Sequence, residues 1–381
     1  TFWNSSSYAS AIGANLNGPQ SYFDGYLTEI NFIDGQQLTP SSFGATSTTT
    51  GVWGPAKYTG TYGTNGFYLN FSDNSAATAA AIGKDYSGNG NNWTPNNISV
   101  TAGATYDSMV DTPTPYGTDT GAGGTVRGNY AVMSPIVPTG SPVISGGNLN
   151  IVGAGTYCNG LSTINLDSGA YYCECVVNTH TAEAWGVWDI TKTAAVNSGS
   201  GTSSGFYGIY SSGATLCTAG IAGTTNAAGV PANGDIVQVA WSNGKVWLGK
   251  NNTWYNSSFG TTGNPSAGTN ATFTGLTAGQ FAFIFGSGNS TPSLSANFGQ
   301  RAFSYTAPTG FKALCTQNLS TPTIANGAAY MNATLYNGNS STQTVNNSAG
   351  FYPDFNWIKI RSSTGSHVLV NSVVGGSKQL F

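Results

Sequence analysis

The chain has 381 residues, enough for two or three domains, and only 7% of them are charged. That is far below the roughly 25% of an average soluble domain, yet no apolar run approaches the roughly 20 residues of a membrane-spanning helix. The 11 basic and 14 acidic residues give a net charge of −3, and no basic patch predicts binding to nucleic acid or anionic lipid. Since 12% of the residues are aromatic, we expect folded domains whose polarity comes from uncharged groups.

Strand patterns dominate the whole chain. No segment of ten or more residues has apolar positions at helical spacing, whereas short apolar strands separated by turn residues recur throughout. This organisation predicts an all-β protein made of tandem antiparallel β-sandwich, or jelly-roll, domains.

The first segment, residues 1–126, contains two recognisable strings. In the first, Tyr26, Thr28, Ile30 and Phe32 alternate, which predicts a strand. It resembles the last strand of laminin-G-like, concanavalin-like domains, and the string DYSGNGNNW at residues 85–93 resembles their opening motif. The resemblance implies a laminin-G-like remnant followed by a Gly/Asn-rich connector. Either the two strings pair in one sandwich, or most of that domain lies upstream.

The loop that begins at Asp85 is rich in oxygen ligands, which makes Asp85 a candidate calcium ligand. It offers one carboxylate and lacks the acidic spacing of an EF-hand, so a turn held by Asx hydrogen bonds is the favoured interpretation. We therefore predict no metal and no cofactor.

A hairpin is predicted between residues 232 and 254. Ile236 to Trp241 form an apolar strand, Asn243-Gly244 supplies the two positive-φ residues of a type I′ turn, and Val246 to Leu248 return. Trp241 and Trp247 lie in the middle of these strands and are expected in the core.

This hairpin resembles the central signature of SPRY domains, which are β-sandwich recognition modules. Three further strings follow the family's order: SGAYYCECVV at 168–177, AWGVW at 184–188, and NFGQRAF with APTGF at 297–311. The resemblance covers residues 127–314 and implies that binding loops lie at one end of the sandwich. On that basis Thr191–Ser204 and Trp254–Asn270 are predicted contact loops, with Trp254, Tyr255 and Asn256 as ligand-binding residues at the rim.

The five cysteines are odd in number and widely spaced, which does not suit a disulfide framework. Cys173 and Cys175 alternate along one strand and share a face. We expect buried free thiols, as in a protein assembled in a reducing cytoplasm.

Catalytic signals are few. Only three glutamates are present, and Glu174 should point away from the face of its cysteine neighbours, toward solvent or a polar partner. His180 and His367 have no second ligand at metal spacing, and no G-x-S-x-G string occurs. The sequence therefore predicts a protein that is not an enzyme.

The last segment, residues 315–381, includes GFYPDFNWIKIR at 350–361. This string resembles a small β-module that follows SPRY domains in tail proteins of marine bacteriophages, and we expect only its start to be present. The order of segments predicts a virion protein, a tail fibre or another exposed appendage, assembled in the host cytoplasm. It would bind a host-surface glycan or a neighbouring virion protein and form a homo-oligomer, with a trimer favoured. A secreted bacterial adhesin and a glycan depolymerase remain alternatives.

Overall fold

A computed structural model describes residues 10–15, 21–46, 53–102, 105–109, 129–136, 142–153, 158–192, 205–212, 214–287, 293–321, 324, 327–347 and 349–373. The predicted all-β fold is confirmed, because the described residues form 21 strands and four short 3-10 helices. None of these helices has the length and apolar character needed to cross a bilayer.

The strands are β1 (Ala14–Asn15), β2 (Ser21–Tyr22), β3 (Ile30–Phe32), β4 (Gly44–Thr46), β5 (Trp53–Pro55), β6 (Phe67–Leu69), β7 (Val143–Ser145), β8 (Asn150–Val152), β9 (Asn159–Leu161), β10 (Ala170–Thr179), β11 (Glu183–Asp189), β12 (Phe206–Tyr210), β13 (Thr215–Thr218), β14 (Ile221–Thr225), β15 (Ile236–Ser242), β16 (Lys245–Lys250), β17 (Thr253–Tyr255), β18 (Phe281–Ser287), β19 (Ser293–Asn297), β20 (Phe355–Ile358) and β21 (Val368–Asn371). The 3-10 helices are Pro40–Ser42, Ala227–Gly229, Thr316–Asn318 and Gly327–Ala329.

Two antiparallel sheets form the sandwich. One has seven strands in the order β17-β16-β15-β10-β19-β8-β7, and the other has six in the order β14-β13-β12-β11-β18-β9. The main apolar cluster takes side chains from both sheets, including Tyr171 and Val239 from the first and Trp185, Val187 and Phe285 from the second. Burial of this cluster is the main favourable contribution to folding.

Trp241 and Trp247 lie on opposite faces of the seven-stranded sheet, and both are confirmed as core residues. Trp241 belongs to the cluster shared by the two sheets. Trp247 belongs to a second cluster with Tyr172, Trp254 and Phe311, on the other face. Both faces of this sheet are therefore covered, which explains why its central strands have few exposed positions.

The β15–β16 hairpin has the predicted turn. Asn243 and Gly244 have φ values of 43° and 80°, and Ser242 pairs with Lys245 on either side of them. Asn251 and Asn252, with φ values of 48° and 62°, make the corresponding turn between β16 and β17. In both turns the residue type provides the left-handed backbone that the tight connection needs.

The cysteine prediction is confirmed where the structure tests it. Cys173, Cys175 and Cys217 are buried free thiols. Cys173 and Cys175 both lie in the cluster between the sheets, as expected from their alternation along β10. Cys158 and Cys315 are buried as well.

The first predicted strand is shorter than its sequence pattern indicated. Strand β3 begins only at Ile30, because Glu29 has a φ of 51°, which interrupts the extended backbone. Tyr26 is exposed and lies outside any strand. Strand β3 pairs with β6 in a two-stranded sheet. The string at 85–93 forms no strand, but it contacts β6, because Asp85 accepts a hydrogen bond from the Tyr68 N–H and the Tyr86 N–H donates to the Tyr68 carbonyl.

The chain divides into two compact units. The first comprises residues 1–37 and 60–320 and contains the sandwich. The second comprises residues 38–59 and 321–381 and contains β4, β5, β20 and β21. In the second unit β20 and β21 form a two-stranded sheet without a buried residue.

Candidate functional site

The carboxylate of Glu174 is buried and accepts several hydrogen bonds. The sequence predicted that this side chain faces either solvent or a polar partner, and the structure gives it polar partners. Its oxygens accept hydrogen bonds from the Tyr172 hydroxyl at 2.7 Å and from the backbone N–H groups of Ser304 and Tyr305 at 2.7 and 2.8 Å. Burial raises the pKa of the Glu174 carboxyl, although these hydrogen bonds oppose the shift. The group ties β10 to the segment that follows β19.

Glu183, at the start of β11, organises a second polar cluster. Its carboxylate binds His180 Nδ1 at 2.8 Å and accepts hydrogen bonds from the Ser211 hydroxyl at 2.8 Å and the Thr181 N–H at 2.5 Å. Ser, His and Glu thus occur together, but the serine donates to the carboxylate. In a nucleophilic triad the serine would contact the histidine. The geometry is that of a structural carboxylate that hydrogen-bonds the polar groups around the start of β11.

The loop at Asp85 has the geometry of a structural turn. The carboxylate accepts four hydrogen bonds, from the N–H groups of Tyr68, Ser87 and Asn91 and from the Ser87 hydroxyl. Burial alone would raise the pKa of Asp85, but these bonds outweigh it and hold the pKa below its usual value. Four donors fill the acceptor capacity of a carboxylate. The Asx interpretation therefore fits the geometry better than a calcium ligand.

In the described parts of the chain, no group of three or more His, Cys, Asp or Glu side chains is placed so that it could hold a metal ion.

The expectation that Trp254 and Tyr255 lie at an exposed rim is wrong. Trp254 is 8% exposed, because it pairs with Gly249 across β16 and β17 and packs against Tyr172 at a centroid distance of 6.1 Å. The glycine leaves space for the ring, since a Cβ there would lie 3.0 Å from the indole.

Tyr255 is 1% exposed, and its hydroxyl donates to the Ala228 carbonyl at 2.8 Å. Burial raises the pKa of Tyr255 to about 12. Asn256 is half-buried, and its amide oxygen accepts from the N–H groups of Ser258 and Gly260. It therefore shapes the loop after β17. Ligand binding by these three residues stays a prediction.

A surface pocket of about 250 Å³ lies at the end of the sandwich that carries the β15–β16 turn. We call it the hairpin pocket. It is lined by Ser242, Asn243, Lys245, Trp247, Pro265, Gly268 and Phe311. The pocket is therefore formed by the hairpin, by the predicted contact loop at 254–270 and by the APTGF segment.

The base of the hairpin pocket is apolar and closely packed, and its rim is polar. Trp247 and Phe311 are 1% and 5% exposed and meet edge to face, with centroids 5.9 Å apart. The indole N–H of Trp247 donates to the Thr269 carbonyl at 2.7 Å, which holds the loop at the edge of the ring. Asn243 and Lys245 are exposed on the rim.

The other predicted contact loop, Thr191–Ser204, lies outside the described residues except at its first two positions. Sequence reasoning identified the loop at 254–270 but missed the pocket itself. The sequence feature that points to the pocket is the Asn-Gly turn, because such a turn exposes its asparagine side chain at the end of a sheet.

Comparison with known proteins gives partial similarities. Residues 326–381 match a family model described as a domain of unknown function (DUF7483). No curated protein matches the chain.

Among solved structures, the chain is similar to the SPRY domain of human HERC1, with 14% identity and a TM-score of 0.35, over 45% of this chain and 99% of that one. It is similar to stonustoxin, with 14% identity and a TM-score of 0.30, over 44% of this chain and 27% of that one. It is also similar to the PSpry domain of TRIM65, with 10% identity and a TM-score of 0.30, over 44% of this chain and 92% of that one.

Proposed function

We propose that this chain is a non-catalytic binding protein of a bacteriophage virion, part of a tail fibre or another exposed appendage. It binds a host-surface glycan or a neighbouring virion protein through the loop end of its sandwich. The proposal rests on the order of sequence motifs, which resembles such proteins, and on the low charge of the chain. The observation that carries the binding role is the hairpin pocket, a concave site with an apolar base and a polar rim at a loop-bearing end.

The buried glutamates support a role without bond cleavage. Glycosidases need two facing carboxyl groups about 5 to 9.5 Å apart across the scissile bond. Glu174 and Glu183 are each held by donors of the protein's own backbone and side chains. No carboxylate lines the hairpin pocket.

Weak binding at this pocket would be sufficient if the protein is a homo-oligomer, with a trimer favoured. Linked sites on one particle gain avidity, because the second contact forms at a high effective concentration. The affinity of each pocket can then remain modest.

The test is binding of the whole chain to a panel of bacterial surface polysaccharides, measured by biolayer interferometry, together with the length of the recovered polysaccharide. Asn243→Gly removes an amide from the pocket rim while keeping a residue suited to the type I′ turn. We expect it to weaken binding several-fold. Asn252→Gly, the same change in the turn at the other end of β16, should leave binding intact.

Two results would overturn the proposal. One is shortened polysaccharide, which would indicate a depolymerase. The other is equal binding by Asn243→Gly and the unchanged chain, which would place recognition elsewhere.

A further inference from the structure

The hairpin pocket has one positive charge in its lining and no negative charge to balance it. Lys245 is its one charged lining residue, the side chain is exposed, and its Nζ lies 3.3 Å from the Gly268 carbonyl oxygen. The ion pairs found among the described residues join His180 to Glu183, Lys192 to Asp189 and Lys250 to Asp235. The ammonium group of Lys245 therefore lies beside the pocket with a carbonyl partner and without a carboxylate.

The remaining lining favours a ligand rich in hydroxyl groups. Trp247 and Phe311 are too buried to offer a stacking platform, and the Trp247 N–H is already bonded. Contacts with a ligand would come from Ser242, Asn243 and Lys245 on the rim. Hydrogen bonding and one positive charge would therefore hold the ligand, with little contribution from buried apolar area.

On the basis of the proposed function, we propose that the hairpin pocket binds an acidic sugar unit of a surface polysaccharide, with the sugar carboxylate against Lys245 Nζ. The pocket volume of about 250 Å³ is below the usual range for drug-sized ligands and suits a small unit of a polymer. An ammonium–carboxylate hydrogen bond is about twice as strong as a neutral one, so it would select the acidic sugar.

The rest of the chain does not provide a general attraction for polyanions. Its net charge is −3, with only 11 basic residues among 381. Binding of an acidic glycan would therefore depend on a local contact and would fall only slightly with added salt, as expected for one charge pair.

The experiment compares oligogalacturonate with its methyl ester, which keeps the sugar backbone but masks every carboxylate. Affinities are measured by isothermal titration calorimetry on the whole chain. Lys245→Gln removes the charge at the pocket, and Lys312→Gln is the matched control. Lys312 is also exposed and follows Phe311, but it does not line the pocket. We expect oligogalacturonate to bind more tightly than the ester, and Lys245→Gln alone to weaken it about tenfold.

The outcomes separate this inference from the proposed function. If the ester and other neutral glycans bind as well as oligogalacturonate, or if Lys245→Gln changes nothing, the acidic-sugar inference is wrong while the glycan-binding role stands. If a poly-glutamate peptide binds in preference to every glycan, the pocket recognises an acidic protein segment and the inference is likewise overturned. If no glycan and no peptide binds, both the inference and the binding role at this pocket fail.

Discussion

Glu174 places a carboxylate in the core at the cost of its hydration, and its hydrogen-bond donors compensate for that cost in part. Glu174→Gln keeps the shape but puts an NH₂ group against N–H and O–H donors. We expect this change to lower the free energy of unfolding by about 1–3 kcal/mol, the usual effect of mismatched buried hydrogen bonds. Urea unfolding followed by tryptophan fluorescence would measure it.

The raised pKa of Glu174 also gives a pH dependence with a defined sign. A carboxyl whose pKa is higher in the folded chain holds its proton more tightly there. Its contribution is therefore fully present below the unfolded pKa, near 4.5, and is lost as the pH rises through the folded pKa. The stability advantage of the unchanged chain over Glu174→Gln should be largest at about pH 4.5 and below, and should shrink above it. An advantage that is independent of pH would contradict the assigned pKa shift.

Among the elements, the β15–β16 hairpin depends on a glycine for two reasons. Gly244 has a φ of 80°, and a Cβ there would lie 2.1 Å from the Leu276 carbonyl oxygen. Gly234 has a similar φ of 88°, but a Cβ at that position would have no atom within 4 Å. Gly234→Ala should therefore report only backbone strain, whereas Gly244→Ala should cost about 1–3 kcal/mol more because of the clash. Chemical unfolding of the two variants would measure this difference, and equal losses would show that the contact with Leu276 is relieved without cost.

The sequence predicted those elements whose conformation is decided locally. The turn at 243–244 follows from two residue types that adopt positive φ, and the core positions of Trp241 and Trp247 follow from their places in mid-strand. Trp254 could not be placed in this way, because its burial depends on Tyr172, which lies 82 positions earlier in the chain and packs over it.

At the scale of the whole molecule, the candidate site combines parts that are distant in sequence. Ser242, Pro265 and Phe311 line one pocket because two loops fold over the end of a sheet. No periodicity or spacing in the sequence predicts that these three residues lie close together. Glu174 illustrates the same limit, since its backbone donors at residues 304 and 305 are found only when the sheet order is known.

The distribution of buried residues predicts an uneven stability across the molecule. Strands β10 and β15 are buried along most of their length, whereas β20 and β21 have no buried residue. An isolated two-stranded sheet is marginally stable in water. In hydrogen exchange of the whole chain, we expect amides of β10 and β15 to exchange only on global unfolding and those of β20 and β21 to exchange about a thousandfold faster or more.

Mass spectrometry of peptic fragments would compare these four strands, and a series of protein concentrations provides the control. If β20 and β21 were as protected as β10 at every concentration, their stability could not be explained by the burial of their own residues. Protection that increased with concentration would instead mean that another copy of the chain covers Phe355 and Trp357, which are 54% and 66% exposed. The low protection expected at high dilution follows because no residue of either strand is buried.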